Sequence, residues 1–279
     1  MLDGMTGTLI TVAPTGAEHA KADLPQLPTT LEELTDTARR CEAAGASVIH
    51  LHLRDADHRP SLDLGLLRDA VVAVREATDL IVQLSTGGSV HDPYDARLRV
   101  LDAEPDSCSL TCGTVNFGDD IFLNPMPFMR DLYRRAQERE IVPEFEIFEV
   151  GQLWALERLI DEFGLPFGGS VHVDLVLGVP GALPGTMAAL MAGVAALPNA
   201  VTSWSATGIG RSHLPVMAGA LAAGGHVRVG MEDNVVFERG RIVQRNDELV
   251  TRAAQLARLL QRPALSTHEA RALLGIKRR

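Results

Sequence analysis

Short apolar, β-branched runs alternate along the chain with longer segments of helical period. Strands are expected at 9–14 (LITVAP), 47–53 (SVIHLHL), 80–86 (LIVQLST), 107–112 (SCSLTC), 142–149 (VPEFEIFE), 170–178 (SVHVDLVLG), 201–207 (VTSWSAT) and 226–232 (HVRVGME). The helix between the first two is marked at both ends. Thr30 and Glu33 make a capping box, Leu34, Ala38 and Cys41 share one face, and Gly45 supplies the stop. Further helices are expected to begin near Asp63, Pro93, Pro125, Gly151, Pro184, His213 and Asn246. Pro263 follows the last of these, and STHEARALLG then reads as a short terminal helix.

Strict alternation of eight strands with eight helices implies parallel strands joined by crossover helices. In 279 residues this predicts an α/β fold, a (β/α)8 TIM barrel, as a single domain over 1–279 with a short C-terminal helical extension. The first strand–helix turn, APTGAEHAK, lacks the G-x-G-x-x-G of a dinucleotide site, which counts against an open doubly wound sheet. Formal charge is −10 and the longest basic block is the terminal KRR, so no nucleic-acid partner is expected. No apolar run of about 18 residues could span a bilayer, and MLDGMTGTLITVAP does not read as a signal peptide. Three cysteines argue against a disulfide framework and for a reducing cytoplasm, with Cys108 and Cys112 as small core residues.

Barrels of this kind carry their chemistry at the carboxyl ends of the strands. His50 and His52 stand two apart on the second strand and so share a face. A lone strand histidine is more often a satisfied core residue, as we read His172 and His226. Paired imidazoles at a barrel mouth point instead to a metal. The eighth strand neighbours the first, which neighbours the second, so Glu232 reaches the same volume. Two histidines and a glutamate with an open position form the ligand set of a catalytic zinc. Arg228 lies on the same face as Glu232 and could orient a carboxylate such as Asp233, with Ser85 completing a hydrogen-bonded set; a structural ion pair at the rim is the alternative. Glu144 and Glu146, on one face of the fifth strand, either support that centre or recognise a cationic substrate. The loop ATGIGRSHLP, with Gly208, Gly210 and Arg211, suits a phosphate after strand seven.

The stretches ITVAPTGAEHAKADLPQLPTTLEEL, CEAAGASVIHLHLRD, QLSTGGS, GTVNFGDDIF, VLGVPG, GIGR and GGHVRVGMEDN, in that order, resemble the β-keto acid cleavage enzymes. The resemblance implies a homotetrameric barrel with Zn2+ on His50, His52 and Glu232. It also implies a reaction in which a β-keto acid and the cosubstrate acetyl-CoA exchange acyl groups, giving acetoacetate and a new acyl-CoA. It makes Asp233 the base, with Arg228 and Ser85 as its activating partners. Substrate would lie among Glu18, Gly87, Gly88, Ser109, Thr111 and Glu146, and CoA phosphates near Gly208, Gly210 and Arg211. Ser109, Thr111 and Ser212 depart from the family pattern, which bears on the shape of the pocket. Glu18 and Glu146 match acidic positions of amine-cleaving members and point to a cationic β-keto acid such as 3-keto-5-aminohexanoate. Two other readings are a zinc-dependent barrel hydrolase and a non-catalytic metal or small-molecule binding barrel. The hydrolase would need more histidines on strands five and six, where only His172 stands.

Overall fold

The computed structural model describes residues 7–277; positions 1–6 at the start of the chain, and Arg278 and Arg279 of the terminal basic block, lie outside the described residues. Eight strands form a closed barrel: β1 (Ile10–Val12), β2 (Val48–Leu51), β3 (Ile81–Leu84), β4 (Ser107–Thr111), β5 (Val142–Ile147), β6 (His172–Leu177), β7 (Ser203–Gly208) and β8 (His226–Val229). Neighbours pair in parallel all the way round, and Thr11 opposite both Val48 and Arg228 closes the ring. The eight-stranded expectation is met, with shorter strands. The second ends at Leu51 and the eighth at Val229. His52 and Glu232 therefore leave the ladder in the turns at the barrel mouth, which frees their side chains for a site.

Nine α-helices are present among the described residues: α1 (Leu31–Ala44), α2 (Leu64–Ala77), α3 (Tyr94–Arg99), α4 (Met126–Glu138), α5 (Gln152–Phe163), α6 (Met187–Ala195), α7 (His213–Ala222), α8 (Asn246–Leu259) and α9 (Thr267–Leu274). Their ends follow local chemistry. Thr30 and Glu33 form the reciprocal cap of α1, Gly45 ends it in the left-handed region (φ 112°), and Asp63 caps α2 through the Leu66 amide. None of them is long and apolar enough to cross a membrane. Three short antiparallel ribbons decorate the carboxyl mouth: Leu53–Arg54 with Pro60–Ser61, Val115–Phe117 with Asp120–Phe122, and Val236–Glu238 with Arg241–Ile242. Strands of two or three residues are too short to leave a periodic signal.

The apolar core lies between the strands and the helix layer, where outward-facing side chains such as Ile49, Leu51, Val82, Leu110 and Phe145 meet the helices. A second cluster closes the opposite end of the barrel. Leu9, Val48, Ile81 and Val142 begin or precede their strands, and Ala270, Leu274 and Ile276 of the α9 region pack against them. Ser47 Oγ donates to the Leu265 carbonyl at 2.6 Å, fixing the chain that enters α9. The terminal helix is thus the floor of the barrel, and all polar chemistry is left to the other end.

Candidate active site and metal centre

Inward-facing positions on the strands are polar to an unusual degree. His50, Gln83, Ser107, Glu144, Glu146, His172, Asp174, Ser203, Ser205 and Arg228 are all buried. Alternation explains the pattern, because outward neighbours on the same strands are apolar and serve the helix layer. Such an interior is stable only if its polar groups find partners or a ligand.

His50 Nε2 and His52 Nε2 stand 3.9 Å and 3.5 Å from Glu232 Oε1. Two ligands about 2.1 Å from a tetrahedral ion lie about 3.4 Å apart, so this spacing fits one divalent metal. The ligand atoms of the three residues all fall within 4.8 Å of one another. Two further observations support the fit. Glu232 Oε2 is buried without a hydrogen-bond partner, as expected of an oxygen kept for a cation. Burial, and then the nearby Arg228 guanidinium, push the His50 imidazole down to about 3, so it is neutral and able to ligate. Its Nδ1 lies 2.5 Å from Gln83 Oε1, and an amide oxygen can only accept. The proton therefore sits on Nδ1, and the Nε2 lone pair faces Glu232.

Glu232 is positioned from two sides. The strand β1 loop passes over it at Gly16, whose φ is +63° and whose absent Cβ would lie 2.6 Å from Glu232 Cγ. Buried Arg54, just after β2, holds that loop by donating to the Gly16 carbonyl (2.7 and 3.1 Å) and the His19 carbonyl (3.0 Å). Burial alone would raise the Glu232 carboxyl. Arg228 and the two imidazoles outweigh it and keep the group well below the ordinary carboxylate range.

Arg228 is the hub of the site. Its Nε and Nη2 grip Asp233 Oδ2 and Oδ1 at 3.1 and 2.9 Å, Nη1 reaches Glu146 Oε1 at 3.4 Å, and Nη2 also donates to Glu232 Oε1. The planar, permanently charged fork suits this multidentate role. Burial pushes the Asp233 carboxyl up to about 7, against the opposing pull of Arg228. A carboxylate of that basicity, buried and held in one orientation, is a competent proton acceptor near neutral pH. Glu144 is pushed up to about 8, first by burial and then by Asp174 and Glu146, and so keeps its proton. These groups open into one cavity of about 550 Å³ at the barrel mouth, shared by His50, His52, Ser85, Arg228, Glu232 and Asp233.

A family model described as beta-keto acid cleavage enzyme matches residues 8–276. The chain belongs to this family. It is 36% identical over 276 residues to a 3-keto-5-aminohexanoate cleavage enzyme of Acetoanaerobium sticklandii, covering 98% of this chain and 100% of the relative. It is 32% identical over 273 residues to a 3-oxoadipate:acetyl-CoA acetyltransferase of Cupriavidus necator, covering 96% and 94%. Among solved structures, apo ObcA superposes with a TM-score of 0.80 at 21% identity, over 90% of this chain. This chain spans 66% of ObcA, just under two thirds of its length, and the likeness concerns the fold alone.

Within this member of the β-keto acid cleavage family, the other expected site residues separate into two groups. Glu18, Ser85, Gly87, Gly88, Glu146, Gly210 and Arg211 line the cavity, Glu18 from an exposed position on the β1 loop. Ser85 Oγ accepts from the Gly87 amide at 3.1 Å, and among the described residues it has no bond to Arg228 or Asp233. Ser109 and Thr111 lie beneath the lining. Ser109 meets Thr86, and Thr111 Oγ1 donates to Glu146 Oε2 at 2.8 Å. Gly208, expected near CoA, is absent from the cavity lining. A Cβ there would lie 2.6 Å from the Ser212 carbonyl oxygen and 2.8 Å from His213 Cα, so this glycine serves the close packing of β7 on α7. Sequence reasoning passed over Gln83, Arg54 and Asp174, whose carboxylate accepts from Ser205 and Thr207 at 2.7 and 2.6 Å. The available signal was a polar residue of inward phase in an otherwise apolar strand.

Proposed function

We propose that this chain catalyses acetyl-CoA-dependent cleavage of a β-keto acid. R–CO–CH2–COO⁻ and acetyl-CoA would be converted to acetoacetate and R–CO–SCoA. The arrangement that carries this reading is a carboxylate gripped by a buried guanidinium, Asp233 on Arg228, beside His50, His52 and Glu232 in one cavity. Membership in the β-keto acid cleavage family supports the same chemistry.

The proton between ketone and carboxylate is the one to remove. Asp233 takes it, and Arg228 keeps the carboxylate aimed while offsetting its charge. The carbon so freed attacks the thioester carbonyl of acetyl-CoA and expels the CoA thiolate. That thiolate adds to the original ketone carbon, the C–C bond breaks, and R–CO–SCoA forms. The released carbon takes the proton back from Asp233 as acetoacetate. Atoms and charge balance over the cycle. Zn2+ held by His50, His52 and Glu232 would act as a Lewis acid on the keto acid oxygens and lower the cost of carbanion formation. Gly210 and Arg211 at the cavity rim would meet the CoA phosphates.

The reading extends to a homotetramer working in the cytoplasm. Exposed Trp154 and Met191 supply apolar surface for subunit contacts, and the buried free thiols of Cys41, Cys108 and Cys112 accord with a reducing compartment. Analytical ultracentrifugation tests the tetramer. To test the reaction, metal-analysed protein is incubated with acetyl-CoA and a panel of β-keto acids, and acetoacetate is followed by mass spectrometry. Absence of acetoacetate from every acid refutes the proposal. Asp233→Asn should retain metal and lose turnover, and unchanged turnover would remove Asp233 as the base.

A further inference from the structure

The cavity has two unlike faces. The metal centre and Arg228 form one. The other is built by Phe117 and Phe122 of the ribbon after β4, Phe148 after β5, Val176 on β6, Val179 in the loop beyond it and Ile209 after β7. These side chains also make a small apolar cluster separate from the main core. Phe122 is 8% exposed, Phe148 6%, Val179 5% and Val176 4%, while Phe117 and Ile209 are partly exposed, so the patch runs inward from the barrel mouth. It is stiff as well. Phe117 meets Phe122 and Phe148 edge-on at ring distances of 6.2 and 6.3 Å, and buried Arg97 sits 4.7 Å over the Phe122 ring while donating to the Thr86 carbonyl at 2.7 Å.

Nothing on this face suits a charge. Glu146, one of the two acidic positions expected to meet an ammonium group, accepts from Thr111 at one oxygen and faces Arg228 at the other, so its charge is shared with a buried guanidinium. Glu18, the other, is exposed on the β1 loop, where its charge acts on Arg54. The pantetheine arm of CoA does not suit the patch either, because its amides would lose their water without gaining partners.

On the reading that this site exchanges acyl groups between a β-keto acid and acetyl-CoA, we infer that the group R is uncharged and apolar, a short alkyl chain or an aryl ring. Phe117, Phe122, Phe148, Val176, Val179 and Ile209 select it. Each methylene of R placed in the patch should raise kcat/KM about fourfold, equivalent to ~0.8 kcal/mol, until the patch is filled. A 5-ammonium or terminal carboxylate in the same place must shed its water without a partner.

The test compares 3-oxohexanoate, 3-oxooctanoate and 3-oxo-3-phenylpropanoate with 5-amino-3-oxohexanoate and 3-oxoadipate, using acetyl-CoA and the full-length, metal-loaded enzyme. The best neutral acid should exceed both charged acids at least tenfold in kcat/KM. A charged acid turned over as well as or better than the neutral ones overturns the inference, while its acetoacetate upholds the reaction. If no acid gives acetoacetate, the reaction fails instead, and calorimetric binding decides the pocket. Tighter binding of 3-oxooctanoate than of 5-amino-3-oxohexanoate then supports it, and equal or reversed affinity overturns it. Val179→Asp should reduce the neutral-to-cationic ratio at least tenfold. Should that variant misfold, the milder Ile209→Ala should move the preference toward longer chains, and an unmoved preference counts against the patch.

Discussion

Gln83→Leu is the sharpest probe of the metal centre, because Gln83 lies outside the cavity lining and reaches the candidate ligands through His50. Its Oε1 lies 2.5 Å from His50 Nδ1, and its Nε2 donates to Ser107 Oγ at 3.1 Å. Leucine keeps the approximate volume and removes both bonds. Without the acceptor the imidazole is free to rotate or to place its proton on Nε2, which faces Glu232. Loss of such a supporting bond lowers metal affinity about 10- to 100-fold, or ~1.4–2.7 kcal/mol. Stranding buried polar groups also destabilises the protein by about 1–3 kcal/mol whether or not metal is bound.

The two effects separate by assay. Competition with a chromophoric chelator reads metal affinity, and urea unfolding of chelator-treated protein reads the fold. Gln83→Glu preserves an acceptor opposite Nδ1 and should keep affinity within about threefold of the parent, on the same scale of outer-ligand effects. If Gln83→Leu binds Zn2+ as tightly as the parent while its metal-free form is measurably less stable, packing alone orients His50. The tautomer reasoning would then be wrong.

Arg228→Met leaves Asp233, Glu232 and Glu146 around a missing charge and should destabilise by about 3–5 kcal/mol in urea. Arg228→Lys should fold better yet lose at least about 100-fold in kcat, since a point charge cannot reproduce the bidentate grip on Asp233. Leu274→Ala opens the packed floor and should cost about 2–5 kcal/mol, with kcat per folded molecule unchanged in steady-state assays. Acid should weaken the fold through His226, whose Nδ1 accepts from the Leu9 amide at 3.0 Å and which burial pushes down from 6.5 to about 4. Between those values the unfolded chain binds the extra proton, so stability is intact above pH 6.5 and falls by about 3 kcal/mol toward pH 4. His226→Asn keeps an acceptor without the titration, and its urea midpoint should fall less over that window. Parallel profiles for the two proteins would refute the assignment.

The parts legible in the sequence are those written in local period and local chemistry. The Thr30–Glu33 cap, the helix start near Asp63 and the alternation within SVIHLHL each need only a few neighbouring residues, and the structure realises them within a residue or two. Glu232 could be joined to His50 and His52 because barrel closure is a topological rule, independent of side-chain detail. Register was not legible. His50 faces Gln83 because β2 and β3 pair with those residues opposite, and nothing near either residue announces it. The partners of Glu146 were not legible either. A carboxylate at 146 is visible in the sequence, but the donors that occupy it come from Thr111 and Arg228 on other strands. The terminal helix reads as an extension because its amphipathic face does not say what covers it, and the glycine at 208 carries no sign in the sequence of its close packing against Ser212 and His213.

These omissions share a cause in how the barrel divides its interior. Outward-facing and floor residues form apolar clusters whose contribution depends on area, so period and composition reveal them. The mouth-facing interior holds Glu144, Glu146, Asp174, Glu232 and Asp233, of which one guanidinium, Arg228, bonds three. Five carboxyls cannot all ionise in that volume. Glu144 therefore retains its proton, Asp233 is poised near neutrality, and only Glu232, between a guanidinium and two imidazoles, is held firmly as an anion. That gradient suits Glu232 to a cation and Asp233 to a proton, and leaves Glu146 shared between Thr111 and Arg228. On that division the inferred choice of acyl group falls to the apolar wall, and the panel of β-keto acids tests it.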